Sequence, residues 1–260
     1  MEKRKNRAME QLRKPFQGVT NIIRFNWHFY VGVISFCLLI FLINTNFHSP
    51  INYLLNLVSL FAITITLITL AVSFYVYDLS GLYKLDWLPN WDDKQNIVNI
   101  NAGFDETSEL LNLKYPYSNL TVLDFYDPTK HTEISIKRAR KAYPSYSNTI
   151  TTKTETLPIE TNSVDKVFVI FSAHEIRNEN ERVEFFNELK RIISNTGEIY
   201  VTEHLRDLPN FLAYNIGFMH FLGLGSWYSV FEKSDLKIKN EQKLNPFITN
   251  FTLTKYGNTA

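Results

Sequence analysis

Residues 95–127, QNIVNINAGFDETSELLNLKYPYSNLTVLDFYD, decide the fold. Residues 96–101 are a short apolar run of the kind that forms a strand buried on both faces. Gly103 marks a turn. Residues 105–114 carry Leu110, Leu111 and Leu113 behind early acids, and Pro116 follows, so this segment is a helix with sensible ends. Residues 120–125 form a second apolar strand that contains Asp124. Strand, turn, helix and strand in this order make the first half of a nucleotide-binding α/β domain.

Working outward, the alternation continues downstream. Asp127-Pro128 reads as a helix cap with proline in the first turn, and the helix runs on to Pro144. Residues 148–152 suit a third strand and the apolar run 164–171 a fourth. Residues 179–193 place Val183, Phe186, Leu189 and Ile193 at helical spacing, and residues 198–202 give a fifth strand. Residues 208–224 are apolar nearly all round. A helix over 227–235 and two strands, 236–244 and 247–255, turning at Pro246, close the chain. The expected fold is α/β: a Rossmann-like, seven-stranded, mostly parallel sheet ending in an antiparallel β-hairpin.

Upstream the chain changes character. The net charge is +1, which gives no overall case for nucleic acid, yet residues 25–77 hold no Lys, Arg, Asp or Glu. Within them, residues 27–43 and 51–77 are each near the ~20 residues needed to cross a bilayer core. NTNFHSP between them is a polar turn, and Trp27, Phe29, Tyr30, Tyr75 and Tyr77 lie near the ends as interfacial aromatics do. The reading is a two-helix transmembrane hairpin; a cleaved leader and a buried soluble hairpin are the alternatives. Lys3, Arg4, Lys5, Arg7, Arg13, Lys14 and Arg24 precede the first run, which puts the N-terminus and, after two crossings, the soluble domain in the cytosol. The expected organisation is a basic N-terminus (1–24), the hairpin (25–78), a linker (79–94) and the α/β domain (95–260). Cys37 is the only cysteine, so the fold uses no intrachain disulfide.

The phrase Leu157-Pro158 through Ser163-Val164-Asp165, the group Ser172-Ala173-His174 ending the fourth strand, and Leu189-Lys190 through Gly197 to Val201 resemble the class I S-adenosylmethionine-dependent methyltransferases, in particular those acting on quinones and lipids. The resemblance covers about residues 95–257. It implies S-adenosyl-L-methionine as cofactor, held by the turn Asn101-Ala102-Gly103-Phe104 with Asn99 in the strand before it. Asp124 would accept from the ribose hydroxyls, with Phe125 beside it. Thr154 and Glu155 would lie in the third loop and Ser172 after the fourth strand. The turn keeps one glycine where the family usually has three, so a catalytically silent binding or scaffold module is the alternative from another class.

His174 and Glu175 follow the fourth strand and Glu203 and His204 end the fifth, at the sheet edge where open α/β folds bind ligands. Methyl transfer to an acceptor that must lose a proton needs a base there. His174 or His204 is the candidate, oriented by Glu175 or Glu203; helix capping is the bland reading. The sequence shows no Cys or His spacing typical of a metal site. The basic run Lys137-Arg138-Ala139-Arg140-Lys141 spreads around a helix and reads as a solvated or lipid-facing surface, so no nucleic-acid partner is expected. The apolar segment 208–224 beside a membrane anchor points to a small acceptor that is itself apolar or membrane-borne.

Overall fold

The protein is described here by a computed structural model covering residues 13–44, 49–91 and 93–256. Most of the basic N-terminal cluster and most of the turn NTNFHSP lie outside these residues. The first helix among the described residues is short and amphipathic, α1 (Gln17–Phe25), and two long apolar helices follow, α2 (Trp27–Asn44) and α3 (Ile51–Phe74). A π-turn, Tyr75–Leu79, and a 3-10 turn, Leu82–Lys84, lead into the sheet domain.

Seven strands form one sheet: β1 (Asn96–Asn101), β2 (Asn119–Asp124), β3 (Ile150–Thr151), β4 (Val164–Ile170), β5 (Ile193–His204), β6 (Leu236–Asn245) and β7 (Ile248–Lys255). Their order is β3-β2-β1-β4-β5-β7-β6; the first five are parallel to one another, and β7 runs antiparallel to both its neighbours. This is the expected sheet with its closing hairpin. Helices α4 (Ser108–Lys114), α5 (Ile134–Ala142), α6 (Glu179–Ile192), α7 (Leu208–Tyr214) and α8 (Leu224–Lys233) complete the domain.

Local chemistry explains the boundaries. Asn178 accepts from the backbone N–H of Glu181 at 3.1 Å, acids occupy the first turn of α6 and Lys190 and Arg191 the last, so cap and dipole agree. One face of that helix buries Phe185, Phe186, Leu189 and Ile192 with Trp227 and Phe231 of α8 against one side of the sheet. Each such side chain contributes about 1.5–3 kcal/mol of transfer free energy. Helix α5 starts later than the Asp127-Pro128 pair suggests. Asp127 instead takes the N–H and hydroxyl of Thr129 into a local turn, which satisfies the cap without a helix. The apolar segment 208–224 is likewise not one helix: α7 stops at Tyr214 and a 3-10 turn carries Asn215–His220.

The segment between the apolar helices and β1 packs on the sheet's other face. Leu85 and Leu88 are buried with Leu110, Leu111 and Phe168, and Trp91 stacks on Tyr115 at 3.8 Å. Helix α1 is fastened as firmly. Asp78 accepts the N–H groups of Gly18 and Val19, both at 2.8 Å, filling the open donors at its start. Gly18 allows this approach, since a Cβ there would sit 2.4 Å from the Cβ of Tyr77. By contrast α2 and α3 show most of their apolar side chains outward. They are long and apolar enough to cross a membrane, and they are not core helices of the sheet domain.

Candidate functional site

The carboxyl ends of the parallel strands meet on one edge of the sheet, and the candidate residues fall into two groups there. The first group surrounds the turn after β1. Gly103 has φ +98°, a left-handed conformation in which a side chain is strained, and a Cβ there would meet the Tyr126 ring at 2.9 Å and the Arg140 guanidinium at 2.7 Å. The Asn101 side-chain oxygen accepts from the Gly103 N–H at 2.9 Å and shapes the turn. Asn99 donates to Thr107 and Ser108 at 3.0 and 2.8 Å, fixing the start of α4. Asp105 accepts from the N–H groups of Thr107 and Ser108, both at 2.9 Å.

Three buried polar atoms in and beside this turn have no hydrogen-bond partner among the described residues: Asn99 Oδ1, Asn101 Nδ2 and Asp105 Oδ2. Two acceptors and a donor left open around one turn match an amino-acid zwitterion, whose ammonium donates and whose carboxylate accepts. A cavity of about 150 Å³ lies against it, lined by Asn101, Ala102, Phe104, Thr107, Ile170 and Glu175 among others.

Asp124, 4% exposed, ends β2 opposite Asn101. One of its oxygens takes the Tyr126 N–H at 2.9 Å, and the other pairs with Arg140 at 2.5 Å. Arg140 also donates to the Gly103 carbonyl at 3.2 Å and lies over the Tyr126 ring. It therefore reaches inward across the cradle, not outward to solvent or lipid. Arg138 turns inward as well, onto the Phe25 carbonyl at 2.6 Å and His28 at 2.8 Å. Helix α1 closes the cradle from outside. Phe25 meets Phe104 edge-on at 5.5 Å, Tyr143 donates to Asn21 at 2.9 Å, and Arg13, Asn21 and Tyr83 all donate to Glu106.

The remaining first-group candidates sit elsewhere. Ser172 is buried and donates to the Ile100 carbonyl at 2.8 Å, locking the end of β4 to β1. Phe125 packs between His131 and Phe185 in the core. Thr154 donates to Glu181 at 2.7 Å, and Glu155 lies at the surface, 3.6 Å from Lys130.

The second group follows β4 and β5. His174 Nδ1 lies 2.6 Å from a carboxylate oxygen of Glu203, a residue with no exposed surface. Its Nε2 faces Glu175 at 3.5 Å. Burial pulls the His174 pKa down, but Glu203 and Glu175 outweigh it and hold the imidazole up to about 10. Burial likewise raises Glu175, while His174 and His220 pull it down further than burial lifts it. His220, from the 3-10 turn, was not among the sequence candidates. Its Nε2 lies 3.4 Å from the same Glu175 oxygen, and its Nδ1 lies 2.9 Å from Glu133. Buried Arg182 bonds the carbonyls of Ile176 and Arg177 and steadies the loop that carries this group.

His204 stands apart. Its ring is stacked between Phe171 and Phe221, with centroids 5.4 and 4.7 Å away. Both nitrogens are engaged: Nδ1 lies 3.0 Å from the Asn210 side-chain oxygen, and Nε2 lies 2.8 Å from the Tyr77 hydroxyl. Burial lowers its pKa to about 4, so the ring is neutral, donating from Nδ1 to Asn210 and accepting from Tyr77. This pair ties the end of the second apolar helix to the sheet edge.

Residues 100–201 match the family profile described as a methyltransferase domain. No curated protein matches the chain. Among solved structures, mitomycin 7-O-methyltransferase MmcR is similar over 94% of this chain and 73% of its own, with a TM-score of 0.53 and 11% identity. The methyltransferase component of the Haloferax volcanii Trm112 activator complex has a TM-score of 0.50 and 12% identity, covering 67% of this chain and 88% of that one. An O-methyltransferase family 2 protein from Planctomyces limnophilus has the same TM-score with 11% identity, over 74% and 61%. At such identities the likeness is one of fold: the sheet is the class I methyltransferase sheet.

Proposed function

We propose that this chain, which carries a methyltransferase domain of class I fold, is a membrane-anchored S-adenosylmethionine-dependent methyltransferase acting on a small apolar or membrane-borne acceptor. The observation that carries the reading is the junction at Tyr77. The second apolar helix does not lead into a free tether; its π-turn delivers Tyr77 to His204 at the ligand edge of the sheet. Thr69 within that helix also donates to the Ala213 carbonyl of α7 at 2.7 Å. Leu208, Phe211, Leu212, Ile216 and Met219 are likewise exposed, on α7, which packs against that helix, and on the turn after it. An apolar surface continuous with a spanning hairpin suits a site that takes its acceptor from lipid.

The turn after β1 fits the cofactor. Asn99 and Asp105 would accept from its ammonium group, Asn101 would donate to its carboxylate, and Asp124 would accept from its ribose hydroxyls once Arg140 swings away. When bound, the cofactor supplies an electrophilic methyl group on a sulfonium. On the acceptor side Glu175 presents a carboxylate to the cavity and accepts a hydrogen bond from an acceptor hydroxyl. His174, held by Glu203, keeps that carboxylate in place. His204 acts as a positioning residue between helix and sheet.

A second reading, a catalytically silent binding module, is favoured by one observation: Arg140 already fills the carboxylate of Asp124. Titrating S-adenosylmethionine into the full chain in lipid nanodiscs separates the two. Binding is expected, and Arg140→Ala, which frees Asp124, should tighten it about 3- to 10-fold, roughly 1 kcal/mol. Folded protein that binds no cofactor in either form sinks the enzyme reading. With methyl-labelled cofactor, label should enter a lipid-extractable product of a membrane extract; label entering only water-soluble acceptors sinks the membrane-borne acceptor.

A further inference from the structure

The second group holds an arrangement that hydrogen bonding alone does not require. Two histidines come from distant parts of the chain, one from the loop after β4 and one from the turn after α7. Each has its Nδ1 held by a different carboxylate, Glu203 for His174 at 2.6 Å and Glu133 for His220 at 2.9 Å. Each consequently turns its Nε2 toward the same oxygen of Glu175, at 3.5 and 3.4 Å. The carboxylate–histidine pairs that orient metal-binding imidazoles have this form, with one nitrogen anchored and the other aimed at the ion.

We propose that His174 Nε2, His220 Nε2 and Glu175 Oε1 form a binding site for a divalent transition-metal ion, zinc being the best match in ligand type. Ligands at about 2.1 Å around a tetrahedral zinc stand about 3.4 Å from one another. The two histidine–carboxylate separations already meet that spacing. The three ligand atoms lie within 4.8 Å of one another, so the two imidazoles close by a small ring movement. His174 is fixed by buried Glu203, while the 3-10 turn carrying His220 has no buried residue and supplies the movement. An ion there replaces the ring protons that now face Glu175. It also displaces Arg177, which lies against both nitrogens of the His220 ring and within 3.6 Å of Glu133. Arg177 is 44% exposed and has open solvent to move into.

Two neutral imidazoles and one carboxylate leave a fourth position open, as in metal sites that bind a substrate or water oxygen. Glu175 also lines the cavity beside the β1 turn, so that position faces the space where the methyl acceptor is placed above. The ion would take an acceptor through oxygen and draw charge from it, favouring a phenol or enol over an amine. This last step rests on the proposed function; the ion site itself does not.

The test is a titration of the full chain in detergent micelles, stripped with chelator, against cobalt(II) and zinc(II). Cobalt should bind one to one with a visible absorption band of a four- or five-coordinate ion, and zinc should displace it. Glu175→Gln and His220→Asn should each weaken binding at least tenfold, whereas Arg177→Ala should strengthen it. A folded wild type that binds no cobalt overturns the proposal, as does tight binding unchanged in both ligand variants. Thermal unfolding of each variant without metal establishes that it is folded, and His220→Asn alters a partly exposed turn residue. Cofactor titration of the same chelated protein keeps the two proposals separable. Cofactor binding without cobalt binding removes only the ion site, and cobalt binding without cofactor binding removes only the methyltransferase reading.

Discussion

At the ligand edge of the sheet, the turn after β1 and the loop after β4 stand side by side and are finished in opposite ways. At the turn, Asn99 Oδ1, Asn101 Nδ2 and Asp105 Oδ2 are buried without partners among the described residues, and Arg140 covers Asp124. Around the loop, His174 and Glu175 are answered by Glu203 of β5 and His220 of the turn after α7. An open buried polar atom costs about 1–3 kcal/mol, so the turn gains by receiving a ligand that completes it. The loop has its charges arranged in advance and gains by keeping them in place. One side of the site is built for affinity, the other for orientation.

The comparison breaks most readily at Asp124. Asp124→Ala removes the acceptor for the ribose hydroxyls, and cofactor affinity measured by calorimetry should fall about 10- to 100-fold. The freed Arg140 is partly exposed and finds water, so the fold should survive. Gly103→Ala tests the strained turn. With φ at +98° and Tyr126 and Arg140 in the way, the added methyl should cost about 1–3 kcal/mol and lower Tm by several degrees. Losing cofactor affinity without losing Tm would mean that the turn is rigid for binding and not for stability.

The smallest effect sharpens the contrast by lying outside both groups. Glu198, in the middle of β5, is raised by burial but held down to about 2 by Lys166 and Lys239, at 2.7 and 2.6 Å, and by the Tyr200 hydroxyl. A carboxyl with a depressed folded pKa contributes stability above its ordinary value of 4.5 and loses it as pH falls toward 2. Wild-type Tm should therefore fall more steeply than that of Glu198→Gln between these pH values. Parallel curves would assign the acid sensitivity to the histidine–carboxylate group instead.

Much of the fold is legible in the chain because its signals are local. Ile97, Val98 and Ile100 announce a strand buried on both faces, Val183, Phe186, Leu189 and Ile193 recur at helical spacing, and Pro246 marks the turn of the closing hairpin. Asp124 and His174 are legible as candidates because one ends an apolar strand and the other closely follows one, and a strand end has only one place to be in a parallel sheet. Arg140 and His220 are not found, for a related reason. Arg140 sits in a basic run on a helix whose start moved from Asp127 to Ile134, and only the packed helix decides which side faces Asp124. His220 lies in a segment apolar nearly all round, where composition suggests one covering helix and the backbone breaks after Tyr214 instead. A constellation assembled from β4, α5 and the turn after α7 leaves no spacing to read.

The Tyr77–His204 contact carries a further consequence. An enzyme on a flexible tether searches the volume its tether allows. Here the second apolar helix and the sheet edge meet through a buried hydroxyl and a buried imidazole, with Asp78 one residue on fastening α1 to the same junction. On the proposed membrane-anchored reading, this junction would hold the domain at one height and one tilt over the bilayer, and an acceptor would reach it by lateral diffusion at a fixed depth. Selection among lipids would then begin as a measurement of length: a molecule would react only when its reactive oxygen sat as far from the membrane's midplane as the helix places Glu175.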